Sequence, residues 1–138
     1  MYKVSFITHK RQQNPINNRM SGTSIQVYNI PDHLRGDTWV GISEIVLNKD
    51  GLPLVLTGAS VLVQFRKDVD SPVTLELSTD NGGVVITDDL NGKIKISEAL
   101  ITMQYGAYQY DLQITFPDGF VKTYLKGTWK IVADISHP

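Results

Sequence analysis

His9, His33 and His137 are the side chains of this sequence that normally titrate near neutrality. A metal centre would need them at paired ligand spacings, and no H-E-x-x-H or other i, i+4 pair occurs. They read as solvated loop residues. The acids Asp68 and Asp70, Asp80, and Asp88 and Asp89 supply the oxygen atoms that calcium prefers. The EF-hand spacing fails at Leu90, which falls where an oxygen ligand belongs. Aspartates also belong in turns for local reasons, so no metal is expected. Two carboxylates meeting across a groove would suit glycoside hydrolysis, yet nothing singles out a pair. The nucleophile elbow, the phosphate-binding loop and the dinucleotide fingerprint are all missing. The expectation is therefore a protein that is not an enzyme and needs no cofactor.

Aromatic residues offer a second kind of chemistry, stacking against a sugar. Trp39, Tyr105, Tyr108, Tyr110, Phe116, Tyr124 and Trp129 are the candidates. Tyr108, Tyr110 and Phe116 share a parity with Leu112 and Ile114, so core packing explains them better. Tyr124 falls on the opposite parity from Val121 and Leu125 and is expected at the surface, as a partner-binding residue. Trp39, Phe65, Tyr110, Leu112 and Trp129 are the expected core anchors, with the two tryptophans on opposite walls. A third feature is a cluster of cations near the N-terminus. Residues 1–35 carry Lys3, Lys10, Arg11, Arg19 and Arg35 against Asp32, a net +4 that leaves −5 for the rest of the chain. Lys10, Arg11 and Arg19 are the other expected partner-binding residues. They lack interleaved aromatics, so a protein with an acidic face suits them at least as well as nucleic acid.

The elements that would position these groups follow from a period of two. Val61, Val63 and Phe65 alternate with Gln64 and Arg66; Tyr108, Tyr110, Leu112 and Ile114 alternate with Gln109, Asp111 and Gln113. Successive strand side chains face opposite ways, so these are strands with one face on a core and one in water. The pattern predicts strands near 38–47, 59–67, 72–78, 83–87, 92–96, 106–116, 120–125 and 127–135. Turn chemistry separates them, as in Asp80-Asn81-Gly82-Gly83 and Pro117-Asp118-Gly119. Ser97–Met103 reads as one helical turn crossing between sheets. Residues 1–35 form an N-terminal arm or strand segment, and residues 36–138 form an antiparallel β-sandwich domain.

Composition is consistent with that plan. The 138 residues are 41% hydrophobic and 20% charged, enough for one core. The formal charge of −1 argues against a nucleic-acid binder. There is no cysteine, which excludes disulfide staples and zinc–thiolate sites. No apolar run approaches a membrane span, and the first residues lack the apolar core of a signal peptide. The expectation is a soluble protein, made in a cytoplasm, with no membrane partner.

An ordered set of short sequences goes further. Arg35-Gly36-Asp37-Thr38-Trp39 is followed by Asn48–Ala59, which contains PLVLTGA; then come Val63–Arg66, Tyr108–Leu112 (YQYDL) and Asp118–Trp129 (DGFVKTYLKGTW). This set, across about residues 28–135, resembles small tailed-bacteriophage proteins related to the N-terminal domain of the phage baseplate upper protein. The resemblance implies an all-β, immunoglobulin-like sandwich in a virion structural protein. In that family the domain anchors a receptor-binding or fibre module to the tail. Here the sequence stops at Pro138 without a helical linker or receptor-binding region, so adaptor, neck, head-fibre and decoration roles stay open. The implied partners are other virion proteins and copies of the chain in a homo-oligomer, and the implied location is the virion, assembled in the bacterial cytoplasm. The family brings no catalytic residues to carry over. A carbohydrate-binding module that contacts the host surface is the alternative reading.

Overall fold

The computed structural model describes residues 2–7 and 25–136. In chain order the strands are β1 (Tyr2–Ile7), β2 (Gln26–Val27), β3 (Ile30–Leu34), β4 (Thr38–Trp39), β5 (Ile42–Lys49), β6 (Leu52–Pro53) and β7 (Ser60–Arg66). They continue with β8 (Leu75–Ser78), β9 (Val84–Asp88), β10 (Lys93–Ile96), β11 (Ala99–Leu100), β12 (Gly106–Thr115) and β13 (Val121–Val132). One large sheet has the order β1-β5-β10-β9, with β6 folded back on β5; the other runs β2-β13-β12-β7-β8, with β3 also on β13; β4 and β11 form a separate two-stranded sheet. All pairings are antiparallel except those of β2 and β3 with β13. In immunoglobulin lettering the first sheet is A-B-E-D and the second is G-F-C, extended by an edge strand on each side. The chain is therefore an immunoglobulin-like sandwich.

A hydrogen bond supports the same assignment. Tyr108, near the start of the F-equivalent strand β12, donates its hydroxyl to the Gln104 carbonyl at 2.6 Å. A tyrosine that bonds back to backbone a few residues upstream is the corner device of this fold.

The core lies between the sheets. Val4, Ile42, Ile45, Leu47, Val84 and Ile94 face it from one side; Val61, Val63, Phe65, Tyr110, Leu112 and Trp129 face it from the other. Trp129 is the hub. Its ring centroid lies 4.7 Å from that of Trp39 and 5.3 Å from that of Phe65, and its Nε1 donates to the Pro31 carbonyl at 3.0 Å. Offset aromatic contacts of this kind contribute about 0.5–1.5 kcal/mol each beyond their buried area. The two tryptophans therefore pack against each other, Trp129 from β13 and Trp39 from β4, which pairs with β11 apart from both large sheets.

The first 35 residues contribute β1 to one sheet and β2 and β3 to the other. Residues 8–24 of the expected arm lie outside the described residues.

Four expected elements differ. The strand near 38–47 is broken into β4 and β5 at Gly41, whose φ is +75°. A Cβ there would run into the backbone of Ile96 and Ser97, so the break needs glycine twice over. The helical turn at Ser97–Met103 is absent; Ala99–Leu100 pairs with Thr38–Trp39 instead. Two residues pinned to another strand leave no room for i, i+4 bonds, and the tertiary pairing outweighs a fair N-cap. The strands near 120–125 and 127–135 are one, β13, and it ends at Val132 rather than running through Ile135. No helix among the described residues is long and apolar enough to cross a membrane.

Candidate functional site

The sequence-expected site residues scatter. Lys10, Arg11 and Arg19 lie outside the described residues, as do His9 and His137. Tyr124 is not at the surface: it is 1% exposed. Along the β12–β13 ladder, Leu112 faces Leu125 and the next residue, Gln113, faces Thr123. Tyr124 is thus the extra residue of a β-bulge. A bulge turns two successive side chains to the same side, so Tyr124 and Leu125 both enter the core, and simple parity fails. Phe116 meets the Tyr124 ring edge-on, with centroids 6.4 Å apart. Trp39, Phe65, Tyr110, Leu112 and Trp129 are all buried. Of the aromatic candidates for sugar stacking, Tyr105 is exposed and the others are buried or half-buried.

The acidic loops are engaged locally. Asp68 accepts from the Asp70 amide at 2.9 Å, Asp88 from Asn91 at 2.8 Å, and Asp89 from the Thr57 hydroxyl at 2.8 Å. Among the described residues, no three histidine or acidic side chains gather as a metal site would require. His33 has its Nε2 2.9 Å from the Asp37 carbonyl and its ring against Trp129.

A different place draws exposed apolar groups together. At the end of the sandwich where β13 stops, a cleft of about 560 Å³ opens between residues 34–37 and 133–136. Leu34 of β3 sits beside Val132 of β13 in the parallel ladder, and both are exposed. Ile135, 96% exposed, completes the rim. Leu100 is exposed nearby, on β11, whose neighbour Ile101 accepts the Gly36 amide at 2.8 Å. The floor carries charge. Arg35 Nη1 lies 3.5 Å from Asp134 Oδ1, and the buried Arg35 Nε–H has no hydrogen-bond partner among the described residues. The Arg35 side chain is otherwise partly exposed, and a guanidinium set beside apolar side chains suits a partner that brings apolar groups and a hydrogen-bond acceptor. Leu34 and Val132 are 98 positions apart and meet through the parallel β3–β13 pairing; neither alternation nor spacing signals that contact. Exposed Ile135 was reachable only by knowing where β13 ends.

Neither a protein-family model nor a curated protein matches the chain. Among solved structures, the chain is similar to CopC from Methylosinus trichosporium OB3b, with 10% sequence identity and a TM-score of 0.42, over 78% of this chain and 89% of that one.

Proposed function

We propose that this chain is a non-enzymatic structural protein of a tailed-bacteriophage particle, acting by protein–protein assembly as an adaptor or decoration at the tail, baseplate, neck or head fibre. The observation that carries the assembly part is the apolar rim of Leu34, Val132 and Ile135 around the Arg35–Asp134 cleft. Apolar groups grouped at the surface with polar groups beside them mark contact sites in soluble proteins. The phage part rests on the ordered sequence set across about residues 28–135. The partners are other virion proteins and further copies of the chain. The −5 balance of residues 36–138 disfavours a nucleic-acid backbone as partner.

Immunogold electron microscopy of particles, with antibody raised against this chain, tests the reading. Label at one repeated place supports it and identifies the substructure. An absence of label from intact and from disrupted particles removes the virion role.

A further inference from the structure

The outer face of the sheet built on β12 holds a groove of about 410 Å³, within the range of small-ligand clefts. Register arranges its polar residues in two rows. Asp111 of β12 stands between Gln64 of β7 and Lys126 of β13, and Gln109 stands beside Arg66 of β7. Neighbouring strands put such side chains about 5 Å apart. The bulge at Tyr124 matters here too. It turns Tyr124 and Leu125 inward together, leaving Thr123 and Lys126 to line the groove.

One side of the groove is held rigid. Gln64 Nε2 donates to Glu76 at 2.9 Å, Arg66 Nη2 donates to Gln64 Oε1 at 3.1 Å, and Arg66 Nη1 donates to the Ser71 carbonyl at 2.7 Å. Asp111 is different. Among the described residues its carboxylate accepts no hydrogen bond and joins no ion pair, and the Lys126 ammonium is likewise unbonded. Desolvation by its neighbours raises the Asp111 carboxyl above its ordinary value, and Arg66 partly offsets the shift. The groove thus offers an acceptor-only group beside donor-only groups, with Gln109 able to do both. A simple anion would meet the Asp111 charge, and a simple cation would meet Arg66 and Lys126. A hydroxyl donates and accepts at once, so adjacent hydroxyls satisfy both kinds of group. Ile25 and exposed Val69 border the polar rows and can cover the C–H face of a ring.

We propose that this face binds a neutral oligosaccharide, whose neighbouring hydroxyls donate to Asp111 and accept from Lys126. The site is separate from the apolar rim and stands whether or not that rim assembles particles. The test is an NMR titration of the full ¹⁵N-labelled chain with maltohexaose, cellohexaose and chitohexaose in turn, at millimolar concentration. The expected result is saturable shifts at the amides of Gln64, Arg66, Gln109, Asp111 and Lys126 with at least one of them. Asp111→Ala is expected to weaken that binding by about tenfold or more, and Asp111→Asn by less, because the amide oxygen still accepts a hydrogen bond, though more weakly than a carboxylate. Lys95→Ala, on the other sheet, should leave it unchanged. The inference is overturned by an absence of shifts with all three sugars, by shifts confined to other parts of the chain, or by unchanged affinity in both Asp111 variants while the thermal melt stays native.

Discussion

Tyr110 and Gly127 show how one buried contact constrains two positions. Tyr110 donates its hydroxyl to the Tyr28 carbonyl at 2.6 Å, and that carbonyl sits against Gly127, where a Cβ would collide with it. Tyr110→Phe is expected to cost about 1–2 kcal/mol in urea unfolding with the slope of the transition unchanged. Gly127→Ala should cost more, since it displaces the carbonyl as well as weakening the bond. A Gly127→Ala chain as stable as the parent would mean that the backbone at Tyr28 is free to move. Burial, with Tyr28 adding to it, also pushes the Tyr110 phenol far above its ordinary value of 10.0. The folded chain then keeps a proton that the unfolded chain sheds above about pH 10, so stability falls as pH rises through that range. The fall should be shallower in Tyr110→Phe, measured as unfolding free energy at a series of alkaline pH values. The sequence alternation already put Tyr110 on a core face. Nothing in it pairs Tyr110 with Tyr28, because that contact spans 82 positions and depends on the parallel docking of the β2–β3 segment.

At the scale of elements, legibility tracks regularity. β7 and β12 alternate without interruption, and their inward residues were readable from sequence alone. β13 alternates too, but the bulge at Tyr124 shifts its phase midway, so a surface position by parity is a core position in fact. Tyr124→Ala therefore should cost about 3 kcal/mol or more, the range for emptying a large aromatic from a core, rather than the few tenths expected of a surface site. Chemical denaturation decides between them. The edge strand β8 offers a second case. Asn81 accepts from the amides of Ser78 and Gly83 at 2.9 and 2.8 Å and donates to the Glu76 carbonyl at 2.9 Å. One turn side chain thereby closes part of the outer edge of β8, which would otherwise be open to strand pairing. Asn81→Ala is expected to cost about 1–2 kcal/mol and to speed hydrogen exchange at the Ser78 amide. Unchanged exchange there would show that another group guards the edge. Asn81 reads from sequence as a turn residue, and its edge-closing role emerges only once β8 is known to be terminal in its sheet.

The whole molecule has two unlike ends, and the difference allows a controlled test of assembly. One end carries Leu34, Val132 and Ile135 around a cleft; the far end of β5 carries a loop with exposed Val55. Replacing either Ile135 or Val55 by aspartate puts a charge on a side chain already in water, so each variant should melt within about a degree or two of the parent. Their effects on association should diverge. If the apolar rim docks a neighbour, Ile135→Asp places an unpaired charge in that contact, which costs several kcal/mol because the carboxylate loses its water without gaining a partner. Leu34→Asp should act in the same direction. Val55→Asp leaves the rim intact and should associate as the parent does. Sedimentation velocity across a range of concentrations reads the difference for self-association, and incorporation into particles reads it for other virion partners. Loss in both rim variants alone would assign the contact to this end of the sandwich. Equal behaviour of all three variants would remove the rim from assembly and leave β9, terminal among the described strands of the other sheet, as the next surface to alter.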